Sequence, residues 1–381
     1  MTSPVRYAMI GGGEGAFIGP VHRTAAAIAG NCQLVAGALS SDAEKARRSG
    51  AAIGLAAERS YASYHDLVAG ERGRPDGAEF IAIVTPNHVH APAAIAALEA
   101  GFPVLCDKPL TDTLEAALEL AEAARQTGGL VGVTHTYTGY PMVRQARELV
   151  ATGRLGAVRR VAVKYTQGWL AKAEDATGKQ AEWRIDPQRS GLAGAFGDIG
   201  THAFNLVEFI TGEKMTRLAA ELRAAVPGRR LDDDGMAMFH LEQGGRGTLV
   251  ASQVCTGDAN GLAISVWCEE AGLHWNQEHP NHLRVSPRGK PEEIWTPGVD
   301  RGYLGQPAMR VTRTPSGHPE GYLEAFANIY RDFADAVRGQ VPDHPCYASL
   351  DDGVRGMRFI QAAYDSSARG AGWADLQEDA R

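Results

Sequence analysis

Long apolar runs, clustered cysteines and an excess of positive charge are all lacking in this sequence of 381 residues. No stretch approaches the roughly 20 apolar residues that a membrane-spanning helix needs, and the N-terminus lacks the long apolar region of a signal peptide. The net charge of -7 at pH 7 provides no basic surface for nucleic acid or for an anionic membrane. The sequence therefore predicts a cytoplasmic protein that binds neither nucleic acid nor membranes.

The cysteines also lack the spacing of a metal site. All five are scattered along the chain, and their odd number favours reduced structural thiols over a disulfide framework. We therefore expect no metal ion. The hydrophobic content of 44% and the charged content of 22% are typical of a soluble globular protein, and the length favours two domains.

Two patterns of apolar residues divide the chain. In the first third, short apolar runs alternate with helical stretches, which is typical of a parallel sheet covered by helices. After about residue 140, segments that alternate apolar and polar residues are separated by turns rich in Gly and Asp, which favours an antiparallel sheet. We therefore predict the α/β class, with a parallel domain at 1–135 and an α+β domain with a large, mostly antiparallel sheet at 136–381.

A glycine-rich turn follows the first apolar strand, in the stretch "AMIGGGEGAFIGPVHR" at 8–23. The pattern G-x-G-x-x-A begins at Gly11, and we expect a lengthened loop before a helix that begins at about Pro20. Such a loop binds phosphate through its backbone N–H groups, so we predict a Rossmann dinucleotide-binding domain. The residues expected to bind the pyrophosphate are Gly11, Gly13, Ala16, Phe17 and Ile18.

The end of the second strand should contact the adenosine ribose. Where an acidic residue is usual in NAD-binding domains, this chain has Ser40, followed by Ser41. A hydroxyl can still bond the ribose, and its neutrality tolerates a 2′-phosphate. NAD is the predicted cofactor and NADP stays open, because three basic residues lie close by, namely Lys45, Arg47 and Arg48. Ser41 and Glu44 are also predicted to form a capping box.

Polar residues follow two further strands of the predicted parallel sheet, in "TPNHVHA" at 85–91 and "CDKPL" at 106–110. Because ligands bind at the carboxyl ends of such strands, Asn87 and Lys108 should point into the same crevice as the glycine loop. A buried lysine needs a partner or a task, although a lone Lys-Pro pair is more often a turn.

A carboxylate and an imidazole occur together farther along the chain. The stretch "GDIGTHAFN" at 197–205 places Asp198 and His202 four residues apart, on one face of a helix that begins there. A carboxylate beside an imidazole raises its basicity and orients it, as general base catalysis requires. The structural alternative is a helix with a capped N-terminus.

Together these motifs resemble a known family. A glycine-rich Rossmann loop, T-P-N-x-x-H, D/E-K-P and D-x-G-x-H, in this order, are similar to the glucose–fructose oxidoreductase and inositol dehydrogenase family, Gfo/Idh/MocA. The resemblance covers most of the chain. It implies a nicotinamide-dependent enzyme that oxidises or reduces a secondary hydroxyl of a sugar, polyol or glycoside, with a lysine–proline bond that is often cis.

The resemblance also implies roles for individual residues. Lys108 would polarise the reacting oxygen, His202 would transfer its proton, and Asp198 would orient the hydroxyls of the sugar. The T-P-N-x-x-H and D-K-P motifs would line the nicotinamide half of the cofactor, and the segment "EWRIDPQRSG" would lie near the cofactor. The residues concerned are Thr85, Asn87, His90, Asp107, Lys108, Pro109, Trp183 and Arg184.

Polar and aromatic side chains near predicted strand ends or in loops are the candidates for the sugar pocket. Such groups bond hydroxyls and stack on sugar rings, although a structural role for each one alone is equally open. The substrate candidates are His135, Gln167, Trp169 and His318, and Tyr137 is a further catalytic candidate.

Two other functions stay open at this point. An NAD-dependent glycoside hydrolase would act by transient C3 oxidation, elimination, water addition and re-reduction, and would need an extra base such as Tyr137 or His135. A regulator that only binds a nucleotide would have no need of Lys108, Asp198 and His202. Whichever function is right, the open sheet of the second domain predicts a homodimer or a homotetramer.

Overall fold

The computed structural model describes residues 3–173, 184–192 and 194–376, which fold into two compact units. Each unit is assembled from separate stretches of the chain. Unit 1 takes its residues from 1–136, 188–190 and 326–357, and unit 2 takes its residues from 137–187, 191–325 and 358–381.

Unit 1 is built on a six-stranded sheet. Its strands are β1 (Val5–Gly11), β2 (Cys32–Ala38), β3 (Phe80–Val84), β4 (Val104–Cys106), β5 (Val131–Val133) and, much later in the chain, β14 (Ala348–Ser349). They lie in the order β14-β5-β4-β3-β1-β2, in which only β14 is antiparallel to its neighbour. Every residue of β3 is buried, as expected for a parallel strand that is covered on both faces.

Five helices connect the parallel strands. They are α1 (Ile18–Ala29), α2 (Ala43–Ala52), α3 (Tyr64–Glu71), α4 (His90–Glu99) and α5 (Leu114–Thr127). The sequence of α5 explains both of its ends. The hydroxyl of Thr113 accepts a hydrogen bond from the amide of Ala116 at 3.2 Å, and Gly128 ends the helix with a φ of 63°.

Unit 2 contains a nine-stranded sheet. Its strands are β6 (Val158–Thr166), β7 (Met215–Arg223), β8 (Asp234–Leu241), β9 (Arg246–Ser252), β10 (Gly261–Cys268), β11 (Ala271–Asn276), β12 (Leu283–Pro287), β13 (Glu293–Trp295) and β15 (Ala374–Asp375). The order is β13-β12-β11-β10-β6-β9-β8-β7-β15, and every pair except β6 with β9 is antiparallel. The predicted fold class is confirmed.

The later helices include two that run from one unit into the other along the chain. The helices are α6 (Pro141–Ala151), α7 (Pro187–Ser190), α8 (Thr201–Thr211), α9 (Gln306–Met309), α10 (Tyr322–Val337) and α11 (Leu350–Ala368). A π-helix at Phe196–Gly200 leads directly into α8. In the core of unit 2, the ring of Phe359 stacks on Phe196 and Phe204, with centroids 5.2 and 4.6 Å away.

The division of the chain differs from the predicted boundary at two places. Residues 188–190 and 326–357 fall within the predicted second domain, yet they pack in unit 1. The longer stretch supplies the strand β14, which pairs with β5 at the edge of the parallel sheet. A two-residue strand contains too little pattern to be recognised in the sequence.

Candidate active site

The glycine-rich loop joins β1 to α1 in unit 1. Gly11 and Gly12 have φ values of +86° and +75°, a region that favours glycine. A Cβ atom on Gly12 would lie 2.8 Å from the Cα atom of Gly19, and one on Gly19 would lie 2.2 Å from the carbonyl oxygen of Gly12. The close approach of loop and helix therefore depends on Gly12 and Gly19. The G-x-G-x-x-A interpretation missed this pair, and the helix begins at Ile18 rather than near Pro20.

The start of α1 fits the pyrophosphate of a dinucleotide. Phe17 is the N-cap residue, and its side chain has no hydrogen-bond acceptor for the first N–H groups of the helix. Thr85 lies against the same loop, because a Cβ atom on Gly11 would be 2.8 Å from its Cγ2 atom. The Oγ1 atom of Thr85 is buried and has no hydrogen-bond partner within the described part of the chain. Backbone donors and an unsatisfied hydroxyl are the groups that a nucleotide can satisfy.

The end of β2 differs from the predicted arrangement. The hydroxyl of Ser40 accepts a hydrogen bond from the amide of Asp42 at 3.2 Å, and Asp42 caps α2 by accepting from the amide of Lys45 at 2.7 Å. The predicted capping box of Ser41 with Glu44 is therefore wrong. Asp42 displaced it because an aspartate one residue nearer the helix is an equally good cap. The predicted contacts of Ser40 and Ser41 with ribose stay predictions.

Arg48 forms an ion pair with Glu14 of the glycine-rich loop. Its guanidinium lies 3.7 Å from the carboxylate of Glu14, and the amide of Glu14 donates to the hydroxyl of Ser49 at 3.0 Å. The negative charge of Glu14 offsets the positive charge of Arg48 at the edge of this loop. A pairing of this kind weakens the attraction of Arg48 for a 2′-phosphate.

The turn after β4 holds the predicted catalytic lysine of unit 1. The Lys108–Pro109 peptide bond is cis. Asp107 Oδ1 accepts hydrogen bonds from the amide of Lys108 at 2.9 Å and from the hydroxyl of Thr134 at 2.6 Å. Burial alone would raise the pKa of Asp107, but His22, the charge of Lys108 and the Thr134 hydroxyl hold that pKa well below its usual range. The aspartate is therefore an ionised group that orients the lysine turn.

The side chains of two predicted cofactor residues, His90 and Asn87, form hydrogen bonds with backbone carbonyl groups. The ring nitrogens of His90 lie 3.0 Å from the carbonyl oxygen of Pro109 and 2.9 Å from that of Thr85. Burial lowers the pKa of His90, so a neutral ring bridges the two motifs. Asn87 is also buried, and its Nδ2 atom donates to the carbonyl of Ser190 at 3.0 Å. Both residues thus brace the loops that carry Thr85 and Lys108.

His135 follows β5 and is buried in unit 1. Burial, with a smaller contribution from the charge of Lys108, lowers the pKa of His135 to about 4. Asp352 and Asp107 oppose this shift without cancelling it. His135 is therefore a neutral hydrogen-bonding group at physiological pH and a weak base.

This pKa makes the stability of the protein depend on pH. Between pH 4 and 6.5 the unfolded chain binds a proton at His135 that the folded chain does not, so acid destabilises the fold by about 3 kcal/mol over that window. We expect His135→Asn to lose this component, which urea unfolding at pH 5 and pH 7.5 measures. His318→Asn, at an exposed histidine, is the matched control. Equal pH dependence in His135→Asn and the wild type would contradict the prediction.

Asp198 lies in the π-helix of unit 2. Its Oδ2 atom accepts hydrogen bonds from Arg184 Nε and Gln253 Nε2, each at 3.0 Å. The helix start is fixed by the partly buried carboxylate of Asp232, which accepts from the amides of Gly194 at 2.6 Å and Phe196 at 2.8 Å. π-Helical turns occur often at functional sites, because they change the direction in which side chains project.

Uncharged polar groups form a connected chain beside β6. Tyr137 bonds the hydroxyl of Tyr165, and Tyr165 donates to Asn260 Oδ1 at 2.7 Å. Gln167 Nε2 donates to the same oxygen at 2.8 Å, and Trp169 Nε1 donates to Gln167 Oε1 at 2.9 Å. We call these five residues the amide–tyrosine cluster. It unites three of the predicted substrate and catalytic candidates in one network.

His202 is buried near the start of α8 and contacts this cluster. The edge of the Tyr137 ring meets its imidazole, with the ring centroids 4.8 Å apart. The centroid of the Tyr165 ring is 6.1 Å away. Unit 2 therefore places the imidazole of His202 against Tyr137 and near Tyr165 of the amide–tyrosine cluster.

Two family models match this chain. The model described as an oxidoreductase family with an NAD-binding Rossmann fold matches residues 5–135, and the model described as the GFO/IDH/MocA C-terminal domain matches residues 143–274. Together these matches cover more than half of the chain. The chain belongs to the Gfo/Idh/MocA family. The predicted family, the oxidoreductase class and the NAD-binding Rossmann domain are confirmed.

Relatives in the Gfo/Idh/MocA family match nearly the whole chain. The uncharacterized oxidoreductase YfiI of Bacillus subtilis (strain 168) is 33% identical over 387 residues, which cover 99% of this chain and 98% of that protein. The crystal structure of an inositol dehydrogenase homolog from Azotobacter vinelandii complexed with NAD+ is 36% identical, has a TM-score of 0.94 and covers 98% of both chains. The complex of such a homolog with NADH and myo-inositol is 34% identical, with a TM-score of 0.90 and 98% coverage of both chains.

A sugar-specific relative is more distant. Levoglucosan dehydrogenase from Pseudarthrobacter phenanthrenivorans (strain DSM 18606 / JCM 16027 / LMG 23796 / Sphe3) is 27% identical over 331 residues, which cover 78% of this chain and 79% of that protein. Its similarity supports membership of the Gfo/Idh/MocA family over most of the chain.

The surroundings of two further predicted site residues of this Gfo/Idh/MocA chain, Arg184 and His318, are defined by the structure. Arg184 contacts Asp198 and also lies 5.9 Å from the centroid of the Trp169 ring, which is a substrate candidate; its predicted contact with the cofactor stays a prediction. His318 is exposed in a surface turn, where its carbonyl accepts from the Thr314 hydroxyl at 2.9 Å. Trp183 lies outside the described residues.

Among the helices that the structure describes, none combines the length and the apolar character needed to cross a membrane. Over the same residues, no group of His, Cys, Asp and Glu side chains is arranged to hold a metal ion.

Several residues that contact the candidate catalytic residues were not predicted from the sequence. His22, which lies 3.8 Å from Asp107, could have been proposed from the sequence, because it follows the glycine-rich loop on the helix whose start is the predicted phosphate site. Tyr165, Asn260 and Gln253 had none. Asn260 comes next to Tyr165 only through the antiparallel pairing of β10 with β6, which brings together residues about a hundred positions apart.

Proposed function

We propose that the protein is an NAD-dependent dehydrogenase that oxidises a secondary hydroxyl of an uncharged sugar or polyol. The observation that carries the proposal is the amide–tyrosine cluster beside His202 and Asp198. Its hydroxyl, amide and indole groups carry no charge, and they match a substrate that offers many hydroxyls and no anionic group. The complex of the Azotobacter vinelandii homolog with NADH and myo-inositol supports the same substrate class.

In the proposed reaction, His202, Lys108 and Asp198 have separate tasks. When bound, the nicotinamide supplies the acceptor for the hydride that leaves the carbinol carbon. The imidazole of His202 takes the hydroxyl proton, and the ammonium of Lys108 stabilises the negative charge that develops on the oxygen. Asp198, held by Arg184 and Gln253, orients neighbouring hydroxyls of the substrate. In the reverse direction His202 returns the proton.

A redox-neutral glycoside hydrolase is not proposed. That reaction needs an additional base to remove a proton from the sugar ring, and His135 and Tyr137 were the candidates. Burial leaves His135 a weak base with a pKa of about 4 and raises the pKa of Tyr137, so neither side chain is poised to accept a proton.

The experiment is incubation with NAD and a panel of inositols, free sugars and aryl glycosides. NADH absorbance reports net oxidation, and aglycone release reports hydrolysis. We expect NADH to form with at least one polyol or sugar and no aglycone to be released. Aglycone release without NADH formation would overturn the proposal in favour of the hydrolase.

The contact between Glu14 and Arg48 leads us to expect that NADH binds more tightly than NADPH. The Glu14 carboxylate, 3.7 Å from the Arg48 guanidinium, partly offsets one of the three charges that could attract a 2′-phosphate. Fluorescence titration of the wild type and Glu14→Gln measures both dissociation constants, and the preference for NADH should narrow in the variant. Glu58→Gln, at an exposed glutamate outside the loop, is the control. A tenfold preference of the wild type for NADPH, about 1.4 kcal/mol, would contradict the prediction.

We further propose that the open face of the nine-stranded sheet forms a homodimer or homotetramer interface. Met236, Met238 and Trp267 expose 55%, 55% and 45% of their surfaces on this sheet. We expect Met238→Asp to lower the molar mass measured by light scattering after size-exclusion chromatography, because an interfacial carboxylate must be desolvated. Val341→Asp, at an apolar residue that is 61% exposed outside this sheet, should leave the mass unchanged. An unchanged mass for Met238→Asp would exclude this part of the face.

A further inference from the structure

His22 is a buried histidine that the proposed reaction does not use. It lies in the first turns of α1 and has no exposed surface. Its Nδ1 atom is 2.8 Å from the hydroxyl of Tyr330, and its ring meets the Phe326 ring edge-on, with centroids 4.5 Å apart. These contacts fix the plane of the imidazole, so its other nitrogen has one direction in which to point.

That second nitrogen points toward the lysine turn. His22 Nε2 is 3.8 Å from Asp107 Oδ1, which is too long for a hydrogen bond but close for two groups in a buried setting. Within the described residues, this nitrogen is buried and has no hydrogen-bond partner. The oxygen that it faces is the same atom that accepts from the Lys108 amide and from the Thr134 hydroxyl.

We propose that His22 is a positioning residue for Lys108 and that it acts through the carboxylate of Asp107. The inference rests on the proposed function, because it assumes that Lys108 acts on the substrate oxygen. A buried carboxylate keeps its orientation only while donors and positive charge surround it. The Nε2 atom of His22 faces the same carboxylate oxygen that accepts from the Lys108 amide, and so it restricts the rotation of the carboxylate.

The consequence for catalysis follows from geometry. Without the imidazole, Asp107 loses a fixed neighbour and can rotate, and the amide of Lys108 loses its fixed acceptor. A displacement of about 1 Å at a catalytic group costs on the order of 100-fold in rate. Cofactor binding depends on the glycine loop and should change little. His22 thus links the helix at the nucleotide site to the turn at the reacting oxygen.

Two amide substitutions separate the two ring nitrogens. In His22→Gln the terminal amide reaches the position of Nε2 and still faces Asp107, whereas in His22→Asn it reaches only the position of Nδ1 and still faces Tyr330. We expect His22→Asn to lower kcat by about 10- to 100-fold. His22→Gln should stay within about threefold of the wild type. Neither variant should change the dissociation constant of NADH. If Asn is tolerated better than Gln, or the two are equal, the role is packing and the inference is overturned.

Three further variants complete the test. In an Asp107→Asn background, His22→Asn should cause no additional loss of kcat, because the route through the carboxylate is already broken. Thr134→Val, which removes another donor to Asp107 Oδ1, should lower kcat with unchanged NADH binding even if His22→Asn does not fold. A full additional loss in the double variant, or wild-type kcat in Thr134→Val, would refute the route. Lys108→Met tests the proposed function separately. If this variant keeps its activity, Lys108 does not act on the substrate oxygen, whatever the results for the His22 variants.

Discussion

Lys108→Met should lower turnover by about 10²–10³-fold or more while the dissociation constant of NADH changes little. Methionine keeps the length and the apolar stem of lysine, but it provides neither a charge nor a hydrogen bond for the substrate oxygen. The oxygen develops negative charge as the hydride leaves, so the loss falls on kcat. Steady-state kinetics with the preferred polyol and a fluorescence titration of NADH measure the two quantities.

The control for this variant is Lys290→Met. Lys290 is exposed in a surface turn, so its replacement removes one positive charge without changing any candidate site residue. It should behave as the wild type in both measurements. Wild-type turnover in Lys108→Met would remove this lysine from the reaction and leave the D-K-P motif a structural turn.

His202→Ala should lower the rate by about 10²–10⁴-fold, which is the usual contribution of a positioned acid or base. The deficit should be largest near neutral pH, where an imidazole exchanges protons readily, and smaller at high pH, where hydroxide replaces the base. The pH profile of kcat/KM for the wild type and the variant measures this difference. A catalytic base should also leave cofactor affinity unchanged.

The matched control is His282→Ala, at an exposed histidine before β12. If His202→Ala keeps near-wild-type rates across the pH range, another residue moves the proton.

Sequence reasoning reached the features that depend on short stretches of chain. The buried apolar strand β3 is visible as "FIAIV", and the polar residues after β3 and β4 mark the carboxyl edge of the sheet. The turn with Lys108, and Asp198 before α8, follow from local patterns together with the family resemblance. Local chemistry failed where two residues compete for one task, as Ser41 and Asp42 do for the N-cap of α2.

Contacts between residues that are far apart in the sequence could not be predicted. The contact of Gly12 with Gly19 requires knowledge of how the loop crosses the helix, which the spacing of glycines does not contain. The bond from Tyr165 to Asn260 depends on which strands become neighbours. The hydrogen bond from Arg184 to Asp198 joins residues that no local motif pairs.

Residues 326–357 of unit 1 are synthesised long after the rest of that unit, which affects how the chain folds during translation. The ribosome completes almost all of unit 2 before it releases β14, which pairs with β5, and the rings of Phe333 and Tyr347, which cover Gly132. Until then, β5 pairs with β4 on one side only and is the open edge of a nascent sheet, and such edges favour wrong pairing. The dinucleotide-binding unit begins first in translation and is finished near its end, so chaperone protection should matter most for this edge.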